Sequence, residues 1–257
     1  GSPLMIDFLG SEHGSRIFDE ISACGINQAP VWIKEPTRIC TTVVSEGDST
    51  ELIEPSPIIS ENENEDFIQT LNEYWNSTQC VALCGSFPQG FDVGRINALD
   101  FAGKRVFVDA IEGIDEWLEK GVELLKINLQ EYCKLLNRLG IPQVTSSPQF
   151  WKMTATAVLE RLPIKNLVVT NEDAPVRAFR LVEKKFQGLI LQPPTIEVKN
   201  DIGAGDSFFA GWLYADGIGL DFESSLVKAT SVAVARCEVD RPWNLSLERI
   251  AELEQEL

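Results

Sequence analysis

The residues best suited to chemistry lie in the run Thr195-Ile-Glu-Val-Lys-Asn-Asp-Ile-Gly-Ala-Gly-Asp206-Ser-Phe-Phe-Ala-Gly-Trp-Leu-Tyr214. It reads as a strand running through a Gly-Ala-Gly turn into a helix that begins with a carboxylate. Glycine at 203 and 205 lets the backbone take up φ > 0 and come close to a ligand, so that successive N–H groups point at one anion. The helix, with Phe208, Phe209, Trp212 and Leu213 on one face, adds unsatisfied N-terminal N–H groups and a positive dipole end. Gly203, Ala204 and Gly205 are therefore a candidate anion hole, the mark of phosphate chemistry. A negative charge beside such a hole suits a group that accepts a proton, which makes Asp206 a candidate base. Asp is also favoured as a helix cap, so a purely structural role fits the same tetrapeptide.

The elements that must position these residues follow from periodicity. Residues 80–84, 105–109, 122–127 and 166–170 are short, nearly continuous apolar runs separated by helical patterns, as expected of buried parallel strands in a βα repeat. Residues 179–182 and 186–191 predict an antiparallel hairpin around Lys184-Lys185, and helices are expected over 11–24, 61–76, 206–216, 223–237 and 246–256. A further stretch at 31–34 is extended. The Thr- and Val-rich segment 38–45, a turn at 46–49 and a strand at 50–54 predict a second hairpin between Pro36 and Pro55, projecting as a lid. In such sheets ligands gather beyond the carboxyl ends of the strands. Gly85, Ser86 and Gln89 follow one strand, Asn128 and Glu131 another, and Thr170, Asn171 and Glu172 a third. Asn128 with Glu131 three residues on also reads as a helix capping box.

Composition narrows the classes. The 257 residues carry 39 acidic and 22 basic side chains, a formal charge of −17. That opposes a general electrostatic footprint on nucleic acid or an anionic membrane, and any anionic substrate must meet a locally positive pocket. Six cysteines without Cys-x-x-Cys spacing point to reduced, mostly buried thiols of a cytosolic protein. With His13 the only histidine, His-based catalysis and a zinc site are disfavoured. No apolar run reaches the ~18–20 residues of a transmembrane helix.

The Gly-Ala-Gly-Asp segment resembles the signature of the ribokinase-like (PfkB) carbohydrate kinases. The likeness extends to Phe8-Leu-Gly-Ser-Glu-His-Gly14, Thr37-Arg38-Ile39, Glu51-Leu-Ile-Glu-Pro-Ser-Pro57, Cys84-Gly-Ser-Phe-Pro-Gln-Gly90 and Leu125-Lys-Ile-Asn-Leu-Gln-Glu131, in order, from about residue 6 to the end. It is greatest with the tagatose-6-phosphate kinase and 1-phosphofructokinase branch. The resemblance implies a single α/β domain over 1–257, a three-layer α/β/α sandwich on a mostly parallel sheet with a β lid at about 36–55. It implies phosphoryl transfer from ATP, with Mg²⁺, to a hydroxyl of a sugar or sugar phosphate. Asp206 would be the base, and Asn128 and Glu131 would face the metal through water. Thr170, Asn171, Glu172 and Asn200 would lie at the nucleotide, and Gly85 and Ser86 at the sugar. Arg38 would meet a sugar phosphate, for which a guanidinium fork is suited. Lids pair subunits in several branches, so this hairpin would pack either on its own domain around a bound sugar or on the matching hairpin of a second subunit in a homodimer.

Departures from the family pattern keep a second reading open, a pseudokinase that binds or regulates. Glu172 and Pro175 stand where the nucleotide loop has glycines, Asp201 replaces a Thr, and Ile127 replaces a Pro. The family's first strand and its sugar-gripping Gly-Gly-x-x-x-Asn element have no counterpart before Phe8, which predicts either an incomplete N-terminus or a segment supplied from elsewhere.

Overall fold

The computed structural model describes residues 3–45, 48–110, 113, 115–142, 147–241 and 244–257; of the turn expected at 46–49, Glu46 and Gly47 lie outside them, whereas Asp48 and Ser49 already belong to a strand, because the hairpin pairs up to Ser45 with Asp48. Backbone contacts divide the chain into two compact units, Gly1–Gln79 with Ser86–Ala102, and Cys80–Gly85 with Gly103–Leu257.

The first unit runs β1 (Leu4–Met5), β2 (Phe8–Gly10), α1 (Ser11–Ala23), β3 (Asn27–Gln28), β4 (Val31–Ile33), β5 (Cys40–Ser45), β6 (Asp48–Ile53), α2 (Glu61–Trp75) and, after an excursion into the other unit, α3 (Gly94–Asn97). Two short parallel pairs, β1 with β3 and β2 with β4, accompany the antiparallel hairpin β5–β6. Phe8, Phe67 and Phe91 pack ring against ring at 4.8–5.3 Å, joining β2, α2 and the 86–102 segment. Helix α2 starts on a full capping box, Ser60 with Glu63, and Glu63 also accepts from the Lys34 backbone N–H at 2.7 Å.

The second unit comprises β7 (Cys80–Cys84), β8 (Arg105–Asp109), α4 (Asp115–Lys120), β9 (Val122–Asn128), α5 (Leu129–Arg138), α6 (Pro148–Arg161), β10 (Ile164–Thr170), β11 (Val176–Val182), β12 (Lys185–Leu191), α7 (Ala204–Gly217), α8 (Phe222–Cys237) and α9 (Leu247–Glu256). Its sheet has the order β12-β11-β10-β9-β8-β7. Strands β7 to β10 are parallel, and β11 and β12 add the expected antiparallel hairpin. Leu124 and Leu125 point to opposite faces and both are buried, which is why the strands read as continuous apolar runs. On one face Phe107, Leu124 and Val168 pack on Phe208, Trp212 and Leu226 of α7 and α8. Beyond the other, Trp151 of α6 stacks between Tyr132 of α5 and Phe179 of β11. Gly211 brings α7 against α8: a Cβ there would lie 2.9 Å from the Ala229 Cα.

The cysteines are free, but the expectation of burial is corrected: Cys24, Cys40, Cys80 and Cys84 are exposed and Cys133 and Cys237 intermediate. Cys80 and Cys84 lie on β7, the edge strand of the six-stranded sheet, which pairs with no strand on its outer side among the described residues.

Candidate active site

Gly203 is the N-cap of α7, with φ 80° and ψ 10°, the left-handed conformation that only glycine takes up cheaply. Asp206 is the third helical residue and does not cap the helix; its carboxylate has no protein partner among the described residues. The turn is tied to the end of α8. Lys199 and Asn200 donate their backbone N–H groups to the Cys237 carbonyl, at 2.8 and 3.3 Å. The Asn200 side chain donates to the Asp240 carbonyl and accepts from the Ile202 N–H, so it braces the turn from within. Of the candidate anion-hole amides, that of Ala204 donates to the Asp201 carbonyl at 3.0 Å, whereas those of Gly203 and Gly205 make no hydrogen bond among the described residues.

Two charged side chains that the sequence reading passed over stand beside this turn. Lys126, from the middle of apolar β9, is buried and holds both oxygens of Asp109, the last residue of β8, at 2.9 Å. Its Nζ lies 2.9 Å from where a Cβ on Gly205 would be, so glycine at 205 makes room for an ammonium. Burial pushes the Asp109 carboxyl up to about 6 despite Lys126, and the charges of Asp206 and Glu131 add to the rise. Cys84, at the end of β7, is exposed as a residue, yet desolvation on its inner side, Asp109 and Asp206 push its thiol up. The ends of three neighbouring strands and the first turn of α7 thus share one electrostatic environment. The signal available in the sequence was a charge placed within or ending an otherwise apolar strand.

Asn128 and Glu131 form a reciprocal capping box on α5, at 2.8 and 2.9 Å. Thr170, the last residue of β10, lies opposite Asn128 in the sheet register. Asn171 accepts from the Ala174 N–H to close the next turn, and Glu172 sits there at φ 46°. A residue with a Cβ thus occupies a left-handed position, where the family pattern has glycine. In the first unit, Arg38 donates from Nη1 to the Ser56 hydroxyl at 2.8 Å, and from Nη2 to Ser86 at 3.5 Å. Gly85, at φ 84°, has open space around its Cα.

Residues 1–242 match the family described as pfkB family carbohydrate kinase. The chain belongs to that family. Tagatose-6-phosphate kinases from two strains of Staphylococcus epidermidis are each 28% identical to it, over 219 and 211 residues. The matches cover 79% of this chain and 65% of those relatives, so the chain spans less than two thirds of their length. Phosphofructokinase-2 from Escherichia coli superposes with a TM-score of 0.85 at 19% identity, covering 100% of this chain and 83% of that one. Ribokinase from Thermotoga maritima gives 0.75 at 17% identity, covering 98% and 81%. The fold is ribokinase-like.

Among the described residues of this family member no three metal-ligating side chains converge. Magnesium is held by one or two carboxylates together with phosphate oxygens and water. Asp109, whose carboxyl is raised in part by Asp206 and Glu131, suits an ion that arrives with a phosphate and relieves that repulsion.

Proposed function

We propose that the protein is an ATP-dependent carbohydrate kinase of the cytosol that phosphorylates a hydroxyl of a hexose phosphate. The observation that carries this reading is Asp206, an unpartnered carboxylate in the first turn of a helix that starts on a left-handed glycine. A carboxylate that neither caps the helix nor pairs with a cation has little structural use beside an anion-binding turn, and a base needs that freedom. Asp206 takes the proton of the acceptor hydroxyl as the phosphoryl group moves. The open amides of Gly203 and Gly205 face the charge on the transferring oxygens, and Lys126, held by Asp109, adds a cation at Gly205. Magnesium, carried by the nucleotide, would neutralise phosphate charge, with Asn128 and Glu131 facing it through water while their inner hydrogen bonds maintain the cap. The tagatose-6-phosphate kinase relatives and a phosphofructokinase-2 solved with fructose-6-phosphate suggest ketohexose phosphates as acceptors. Arg38 is the proposed contact for the phosphate already on the sugar, with Gly85 and Ser86 at its hydroxyls. Thr170, Asn171, Glu172 and Asn200 are the proposed nucleotide edge.

The test is turnover with tagatose 6-phosphate and fructose phosphates, wild type against Asp206→Asn. The amide keeps the local shape but accepts no proton, so kcat should fall by about 10²-fold or more with folding intact. Equal turnover by the two proteins refutes the assignment of the base. Absence of turnover in the wild type with every phosphosugar favours the pseudokinase reading, which the strained Glu172 in the nucleotide loop supports.

A further inference from the structure

Arg236, near the end of α8, is fully buried, with 0% of its surface exposed. A buried guanidinium is costly unless its donors are satisfied or its charge is matched. Nη1 is satisfied: it donates to the Val239 carbonyl at 2.9 Å and to the Asn200 carbonyl at 3.3 Å. Nε and Nη2, equally buried, donate to no acceptor among the described residues. Nε lies 3.8 Å from the point where a Cβ on Gly203 would be, and a carboxylate oxygen of Asp206 lies 3.9 Å from the same point. The two charges are therefore at most about 8 Å apart, within one screening length at physiological salt.

Among the described residues no carboxylate pairs directly with Arg236, although two lie near it. Asp201 and Asp206 are negative, Lys126 is matched by Asp109, and Lys199 is exposed. The half-buried thiol of Cys237 feels both signs: desolvation pushes it up first, Asp201 adds to the rise and Arg236 opposes it. Without Arg236 the turn would present two open amides to an anion while two carboxylates repelled it.

We propose that Arg236 is a positioning residue of the phosphoryl site. It holds the Asn200–Gly203 turn from behind through the Asn200 carbonyl, and it supplies the fixed positive charge that lets the Gly203 and Gly205 amides accept an anion. Arginine suits the task because its guanidinium stays charged when buried. The identity of the anion as the terminal phosphate of ATP rests on the kinase reading above; the anion site itself does not.

Calorimetry with Mg·ATP and with Mg·ADP on wild type, Arg236→Gln and Arg236→Lys separates charge from bracing. On the kinase reading the terminal phosphate is the anion at the turn, so Arg236→Gln should weaken ATP about tenfold or more and ADP less than about twofold, while Arg236→Lys keeps most of the preference for ATP. Equal loss for both nucleotides, no loss at all, or a Lys variant as weak as the Gln one overturns the charge role. Amide NMR with inorganic phosphate tests the site without nucleotide. Phosphate should shift the Gly203 and Gly205 signals in the wild type and leave them in place in Arg236→Gln. A wild type that binds neither nucleotide but shows these shifts retains the anion site and loses the kinase reading. A wild type whose glycine signals ignore phosphate overturns the proposal. Should Arg236→Gln not fold, the Lys variant and the wild-type phosphate titration decide.

Discussion

Gly205 leaves space that Lys126 fills, and that one contact links the anion-binding turn to the strand ends. A methyl at 205 would fall 2.9 Å from Nζ, and Lys126 cannot swing aside without leaving Asp109. Gly205→Ala should therefore cut kcat by about 10-fold or more and also lower the melting temperature, because pushing Lys126 aside strains a buried ion pair. The same pair sets a pH dependence. With its carboxyl raised to about 6, Asp109 favours its neutral form in the folded protein. Its contribution to stability is present below the ordinary carboxylate range and is lost as pH rises through about 6. Activity runs the other way: below about 6 the protonated acid releases Lys126, so the rate should fall with an acid limb near that value, and Asp109→Asn should be slow at every pH and lack the limb. Glu172 gives a third expectation at this scale. Mg·ATP should bind with a Kd in the high micromolar range or above, about −5 kcal/mol or weaker, since two carboxylates, Glu172 and Asp173, lie at the loop. Glu172→Gly should tighten that binding in calorimetry and, by relieving the φ of 46°, raise stability by about 0.5 kcal/mol. The residues named in the sequence were those with a motif around them. Asp109 and Arg236 had none, and Lys126 stood inside one without a role, because their meaning comes from partners 17 to 36 positions away that only folding brings near.

Strands and helices were legible wherever burial and period agreed, but the strand expected just before the glycine turn does not form: residues 192–203 join no sheet, and Lys199 and Asn200 bond instead to the Cys237 carbonyl at the end of α8. Residues 80–84 and 105–109 form strands at those bounds, and α8 covers 222–237 where 223–237 was expected. The signal blurred at glycine: α7 opens at Ala204, two residues before the carboxylate that was expected to open it, because a left-handed Gly203 can cap a helix without a side chain. The lid expected over 36–55 is an antiparallel hairpin with Cys40 opposite Ile53. Val43, Leu52 and Ile53 are each more than half exposed on it, and two strands alone bury too little to be stable. Hydrogen exchange over residues 36–55 should therefore slow when a sugar phosphate binds, and this protection should be lost in Arg38→Ala, whose KM for the phosphorylated sugar rises by the equivalent of about 1.5–3 kcal/mol. Protection that depends on protein concentration and ignores every sugar phosphate would instead make the hairpin a subunit contact.

At the scale of the whole molecule the charge of −17 repels the phosphates of the proposed substrates. Added salt should then help, not hinder: raising ionic strength from about 0.01 to 0.15 M should lower KM for ATP, the reverse of what a basic protein shows. A KM that climbs over that range would mean the local cations outweigh the overall charge. The hydrogen bonds from Lys199 and Asn200 to Cys237, and from Asn200 to Asp240, bear on how the protein comes into being. The glycine turn precedes its own fastenings in the chain, so during vectorial synthesis it leaves the ribosome as a loose loop and gains its shape only when residues 236–240 have followed. A nascent chain stalled before that point would hold a complete Gly-Ala-Gly-Asp sequence and no grip on phosphate.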